Sequence, residues 1–187
     1  MKILLTASAR SGSTALASAI GKILKYPVRF EPYDKWVETK QPVSLKADKL
    51  IEKNIVDQIP KEKFSEYSKR FDKLIFLTRE NLLEAYESFY YKVYHQPGNW
   101  HSYYTVKEGD IRMDQEIYDR LEENHKLVKS LAYMNNISYI SYEDIYSSNY
   151  DTYLNAFSKL QLDLDPMELK TYLDPKHRYR KFKKTVI

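Results

Sequence analysis

Ile3-Leu4-Leu5-Thr6-Ala7-Ser8-Ala9-Arg10-Ser11-Gly12-Ser13-Thr14 carries an apolar run straight into a cluster of hydroxyls, one guanidinium and one glycine. Leu16, Ile20, Ile23 and Leu24 then recur at helical spacing, so the run reads as a strand and the next segment as a helix pressed onto a sheet. Backbone N–H groups at a helix start lack intrahelical partners, and the helix dipole adds partial positive charge there. Such a junction holds anions, and a phosphate or sulfate ester is the natural ligand. In an open α/β sheet it falls at the carboxyl edge of the strands, where ligands bind.

The ATP- and GTP-binding P-loop, G-x-x-x-x-G-K-[ST], places a lysine after its second glycine to reach the terminal phosphates. Here Ser13 follows Gly12, the first glycine is missing, and the cation precedes the glycine as Arg10. Arg10-Ser11-Gly12-Ser13-Thr14 after a first strand resembles the 5′-phosphosulfate loop of the sulfotransferase family, in the style of its carbohydrate-modifying and bacterial members. The resemblance implies a three-layer α/β/α fold around a central parallel sheet, P-loop NTPase-like in its connections. It also implies 3′-phosphoadenosine 5′-phosphosulfate (PAPS) as donor and 3′-phosphoadenosine 5′-phosphate (PAP) as product. Arg10, Ser11, Gly12, Ser13 and Thr14 are then the 5′ cofactor-binding loop, with Arg10 also stabilising the departing phosphate.

A second segment bears the same resemblance. Lys73-Leu74-Ile75-Phe76-Leu77-Thr78 reads as a buried strand, and Glu80 to Tyr94 as a helix with Leu82, Tyr86, Phe89 and Val93 on one stripe. Sulfotransferases place an arginine at this strand end and a serine on the following helix, where they grip the donor's 3′-phosphate; Arg79 and Ser88 match. A guanidinium offers phosphate a planar fork, and a hydroxyl adds one directional donor. Without the resemblance, Arg79 reads as the partner of a surface carboxylate and Ser88 as a solvated hydroxyl.

Two further segments match more loosely. Val28-Arg29-Phe30-Glu31-Pro32 is similar to the F-E-P segment of carbohydrate sulfotransferases, which implies Glu31 as the general base; His95 and His101 are the alternatives. Ile137 to Tyr142 alternates as a strand and runs into Tyr142-Glu143-Asp144-Ile145, similar to the family's YEDL segment. An architectural role is expected there, with Glu143 and Asp144 capping a helix or pairing with cations. Some members of the family carry an aromatic residue in the first helix where this chain has Ala15, so adenine needs another platform among the 18 tyrosines or in the C-terminal segment.

The chain has 187 residues, 43% of them hydrophobic, enough for one α/β core, and residues 1–187 read as a single domain. Cysteine is absent, which excludes disulfides, thiolate nucleophiles and thiolate-bound zinc; no metal is expected, and a reducing cytoplasm fits. Ala7-Ser8-Ala9 has the form of a signal cleavage site, but the apolar stretch before it is short and Arg10 ends it, so a soluble protein beginning near Met1 is expected. No stretch is long enough for a membrane span.

The net charge of +4 sits in the tail. Residues 174–187 hold Lys176, Arg178, Arg180, Lys181, Lys183 and Lys184 against Asp174, leaving 24 basic and 25 acidic residues before them. A basic tail without a basic face along the fold does not mark a nucleic-acid surface. Sulfotransferases close the nucleotide site with a basic C-terminal segment, which implies that Lys176, Arg178 or Arg180 completes the 3′-phosphate pocket; a solvated end is the alternative.

Elsewhere, Pro27 to Glu31 and Pro42 to Lys46 read as short strands, and Lys61 to Phe71, Met113 to Asn135, Tyr150 to Leu160 and Met167 to Tyr172 as helices. His125 lies on the apolar stripe of the long helix and reads as a packed side chain. His95 to Tyr104, with Pro97, Gly98 and several aromatics, reads as a loop covering the acceptor. The expected reaction is sulfuryl transfer from PAPS to an acceptor hydroxyl on a carbohydrate or other small molecule. A P-loop nucleotide kinase or NTPase, or a nonenzymatic nucleotide-binding protein of this fold, is the alternative.

Overall fold

The computed structural model describes residues 1–31, 47–95 and 114–173. In chain order its elements are β1 (Lys2–Ala7), α1 (Ser13–Leu24), β2 (Val28–Phe30), β3 (Leu50–Ile55), α2 (Lys61–Ser68), β4 (Lys73–Thr78), α3 (Leu82–His95), α4 (Gln115–Met134), β5 (Ile140–Ser141), α5 (Tyr142–Ile145), α6 (Tyr150–Ser158) and α7 (Pro166–Leu173). All pairings in the five-stranded sheet are parallel, in the order β2-β3-β1-β4-β5. The expected strand over Pro42 to Lys46, the aromatic loop with His101, the side chain of His95, and tail residues Lys176, Arg178 and Arg180 lie outside what is described.

Alternation along the central strands sorts their side chains to two buried faces. Ile3, Leu5 and Ala7 of β1 join Ile75 and Leu77 of β4 beneath Leu16 and Ile20 of α1, together with Tyr153 of α6 and Leu169 of α7. Leu4 and Phe76 face the other way, onto Phe64 of α2 and Val128 and Leu131 of α4. Helices therefore cover both faces, as an all-parallel sheet requires. Gly21 lets α1 lie close to β2, since a Cβ there would fall 2.3 Å from Val28 Cγ2. No helix among the described residues is long and apolar enough to cross a membrane.

Two expectations need correction. The strand expected over Ile137 to Tyr142 is only Ile140–Ser141; Tyr142 instead opens α5, because the Ser141 hydroxyl accepts from Asp144 N at 3.0 Å and caps a helical turn. More consequentially, Leu50–Ile55 was not anticipated as a strand, yet it pairs with both β1 and β2. Glu52, Lys53 and Asn54 interrupt its apolar pattern, and all three are buried.

Buried polar groups need partners. Glu52 accepts from the Tyr67 hydroxyl and from Asn54 Nδ2 at 3.3 Å, with Arg29 Nη1 3.8 Å away. Burial still pushes its carboxyl up to about 7 from 4.5, against the pull of Arg29, Asn54 and Arg70. The folded chain thus holds this proton more tightly than the open chain does. Glu52 supports the fold fully below pH 4.5, and that support disappears as pH rises through 7. Relative to Glu52→Gln, the natural chain should lose on the order of 3 kcal/mol of stability to urea between pH 4.5 and pH 8. Parallel pH profiles for the two proteins would contradict this.

His125 packs as expected but is not inert, because its Nδ1 lies 2.8 Å from Thr78 Oγ1 and its Nε2 3.6 Å from Glu80. Burial, seconded by Lys129, holds its pKa below the ordinary imidazole value despite Glu80 and Glu143.

Candidate functional site

From β1 the chain moves outward to β2, returns through β3, and then crosses to β4 on the opposite side of β1. The reversal puts a switch point between β1 and β4, and crevices at the carboxyl ends of such strands bind ligands in open α/β sheets. The two loops that leave these strands are the segments singled out in the sequence.

The first loop is tied to its neighbour at once, since Ser8 N donates to Leu77 O at 3.0 Å. Arg10 at φ 61° and Gly12 at φ 75° then turn the backbone into α1. Left-handed backbone at a non-glycine residue is unusual. Among the described residues with it, Lys25, Asn136 and Gln161 follow helix ends, whereas Arg10 and Glu31 do not. No side chain caps α1, no acidic residue lies in its first turn, and the buried Ser11 Oγ has no hydrogen-bond partner among the described residues. Ser13 is buried and Thr14 exposed at the same helix start. Uncapped N–H groups, a helix dipole and an unengaged hydroxyl form a cradle for an anion.

The cradle is braced from α5. Tyr146 Oη donates to Gly12 O at 2.7 Å, and the Tyr142 and Tyr146 rings stand 4.6 Å apart. A Cβ on Gly12 would fall 2.8 Å from Tyr146 Cε2 and 2.9 Å from Tyr142 Cδ2. Glycine is thus needed for conformation and for space alike.

The second loop reaches across to the first. Arg10 Nε donates to Ser88 Oγ at 2.8 Å, and Arg79 Nη1 donates to Arg10 O at 3.3 Å. Arg10, Arg79 and Ser88, up to 78 positions apart in the chain, therefore share one place. The sequence pointed to two separate cradles; here they adjoin, because β1 and β4 are neighbouring strands. The Arg79 guanidinium lies 4.4 Å from the Tyr142 ring centroid, and its Nη2 meets Glu84 Oε2 at 2.5 Å. Its buried Nε has no hydrogen-bond partner among the described residues, and Glu143 Oε1 stands 4.0 Å away. Glu143 also accepts from Glu80 N and Asn81 N, each at 3.0 Å, so it fills the capping role expected of it.

Glu31 sits just past β2 at the same edge of the sheet. Its carboxylate pairs with the buried Lys53 and accepts from Gln58 Nε2 at 3.0 Å, and its N–H donates to Lys53 O at 2.6 Å. Only β3 separates β2 from β1, so Glu31 is offset from the Arg10 loop by two strand spacings, about 10 Å.

Lys53, Glu84 and Tyr146 carry no sign of these roles in the sequence. Lys53 and Tyr146 act on residues distant in the chain, Tyr146 meeting Gly12 across 134 positions, and Glu84 turns back to Arg79 five positions before it. A cleft beside Glu143 is lined by Glu80, Asp144 and Lys159 as well, and Lys129 pairs with Glu80 at 2.9 Å, so its wall carries charge of both signs.

No protein-family model matches the sequence, and no curated protein matches it. Among solved structures, mouse sulfotransferase SULT7A1 complexed with PAP is similar with a TM-score of 0.54 at 16% identity, over 94% of this chain and 65% of that one. Shikimate kinase from Bacteroides thetaiotaomicron follows at 0.47 and 12%, over 86% and 96% of the two chains. Deoxyadenosine kinase from M. mycoides with bound dATP stands at 0.45 and 12%, over 87% and 100%. The chain spans 65% of the length of the sulfotransferase structure, and the likeness at 16% identity is one of fold. The protein has a parallel, P-loop-like α/β fold similar to that of a sulfotransferase.

Proposed function

We propose that this protein is a sulfotransferase that moves a sulfuryl group from PAPS to an acceptor hydroxyl, on a carbohydrate or another small molecule, and releases PAP. One observation carries the reading: the loops after β1 and β4 meet at the switch point, with Arg10 on Ser88 and Arg79 on the Arg10 carbonyl. A nucleotide phosphorylated at both 3′ and 5′ positions needs two neighbouring anion sites, and an ATP site needs one. The missing lysine after Gly12 further disfavours ATP.

In this reading the uncapped N–H groups of α1, with Ser11, Ser13 and Thr14, bind the 5′-phosphosulfate, while Arg79 and Ser88 bind the 3′-phosphate. The acceptor oxygen attacks sulfur in line with the departing phosphate oxygen. Arg10 and the loop N–H groups stabilise the charge that develops there. Glu31 takes the acceptor proton, and Lys53 and Gln58 hold its carboxylate in place.

Thermal unfolding with PAP, magnesium ATP or AMP tests the proposal. PAP at 100 times its dissociation constant should raise the midpoint by about 5 to 10 °C. A larger rise with magnesium ATP than with PAP would contradict the reading and favour a P-loop kinase. Binding of PAP without its formation from PAPS across a panel of hydroxyl acceptors would make the protein a nonenzymatic nucleotide binder.

A further inference from the structure

Asn81 and Glu84 stand at the first and fourth positions of a helix start, the spacing of a capping box. Half of the box forms, for Asn81 Oδ1 accepts from Glu84 N at 3.2 Å. In the other half, the glutamate would ordinarily reach back to the capping residue's N–H. Here Glu143 has taken that N–H at 3.0 Å, together with the one before it. Glu84 is thereby released from helix capping, and it turns to Arg79 instead, its Oε2 2.5 Å from Nη2.

The two partners differ sharply in their surroundings. The Arg79 side chain is 11% exposed and that of Glu84 is 53% exposed. A buried guanidinium needs an anion beside it, whereas a half-exposed carboxylate returns to water at little cost. Nε and Nη2 form one edge of the guanidinium plane, the edge that grips phosphate through two parallel bonds. On this edge Glu84 engages Nη2 alone, and the buried Nε has no hydrogen-bond partner among the described residues, Glu143 Oε1 standing 4.0 Å away. A phosphate seated there engages both nitrogens.

We infer that Glu84 is a specificity-determining residue: its carboxylate occupies the Arg79 edge as an internal stand-in for phosphate, and only a ligand phosphate that outcompetes it binds. This rests on the proposed assignment of Arg79 to the donor's 3′-phosphate. Glu84 would then lower the affinity for every nucleotide that reaches Arg79 and leave nearly untouched one that does not. It keeps the buried guanidinium paired between turnovers and helps PAP leave.

Calorimetric titration of the natural chain and Glu84→Gln with PAP and with AMP tests the inference. Glu84→Gln should bind PAP about tenfold more tightly, with AMP affinity changed by less than about threefold. Weaker PAP binding by Glu84→Gln would overturn the inference, because Glu84 would then be holding Arg79 in its binding position. Equal tightening for both ligands would overturn it too, leaving a general effect of charge. If the natural chain binds PAP and Glu84→Gln binds it equally well, the inference fails and the donor assignment stands. If neither protein binds PAP, the donor assignment fails and the inference falls with it.

Discussion

Arg79→Ala should weaken PAP binding by about 2 kcal/mol, or roughly thirtyfold, through loss of a charge-assisted bidentate contact. The surroundings add to the effect. Glu84 and Glu143 flank the guanidinium at 2.5 and 4.0 Å, so truncating Arg79 leaves two carboxylates facing the incoming phosphate. The contact from Nη1 to Arg10 O is lost as well, which loosens the loop that Arg10 belongs to. AMP, which lacks the 3′-phosphate, should register only that loosening. Calorimetry separates the two contributions, and an equal loss for both ligands would mean that Arg79 shapes the loop without touching phosphate.

Glu31→Gln should lower kcat by about a hundredfold to ten-thousandfold, the range expected when a positioned general base is removed. Glutamine keeps the shape of the side chain and can still accept from Lys53, but the buried ammonium loses its counter-charge, so the variant should also unfold more readily and its kcat is compared at a temperature where both proteins are folded. The proposed PAP site is at the β1 and β4 edge, so PAP affinity should stay within about twofold. Retained turnover with normal PAP binding would remove Glu31 from the mechanism and turn attention to His95 or His101. Loss of PAP binding in parallel with turnover would place the donor nearer to Glu31 than the strand order allows.

Much of this fold was written in local pattern. The apolar runs ending at Ala7 and Thr78 and the periodic stripes of α1 and α4 announce themselves, because each element buries a continuous apolar face. β3 was hidden because its polar residues are satisfied by partners elsewhere: Glu52 by Tyr67 of α2, and Lys53 by Glu31 beyond β2. No local pattern announces a buried charge whose counter-charge lies 22 positions away. β5 was overestimated since Tyr142 continues an alternating pattern, while the Ser141 cap sends it into a helix.

The candidate site divides in the same way. Arg10, Arg79 and Ser88 stood out as residue types at telling positions, and strand order explains their convergence. Glu84 did not stand out, because the capping-box spacing predicts a local bond that Glu143 has taken over. Tyr146 was equally silent, for nothing about a tyrosine just after the YEDI segment indicates the Gly12 carbonyl.

The central claim is that the loops after β1 and β4 hold the two phosphates of one nucleotide. Its most direct measurement is a thermodynamic cycle: calorimetric affinities of the natural chain and Arg79→Ala for PAP and for AMP. The 3′-phosphate should strengthen binding to the natural chain by about 2 kcal/mol, and Arg79→Ala should erase most of that increment. An increment of the same size in both proteins would contradict the claim.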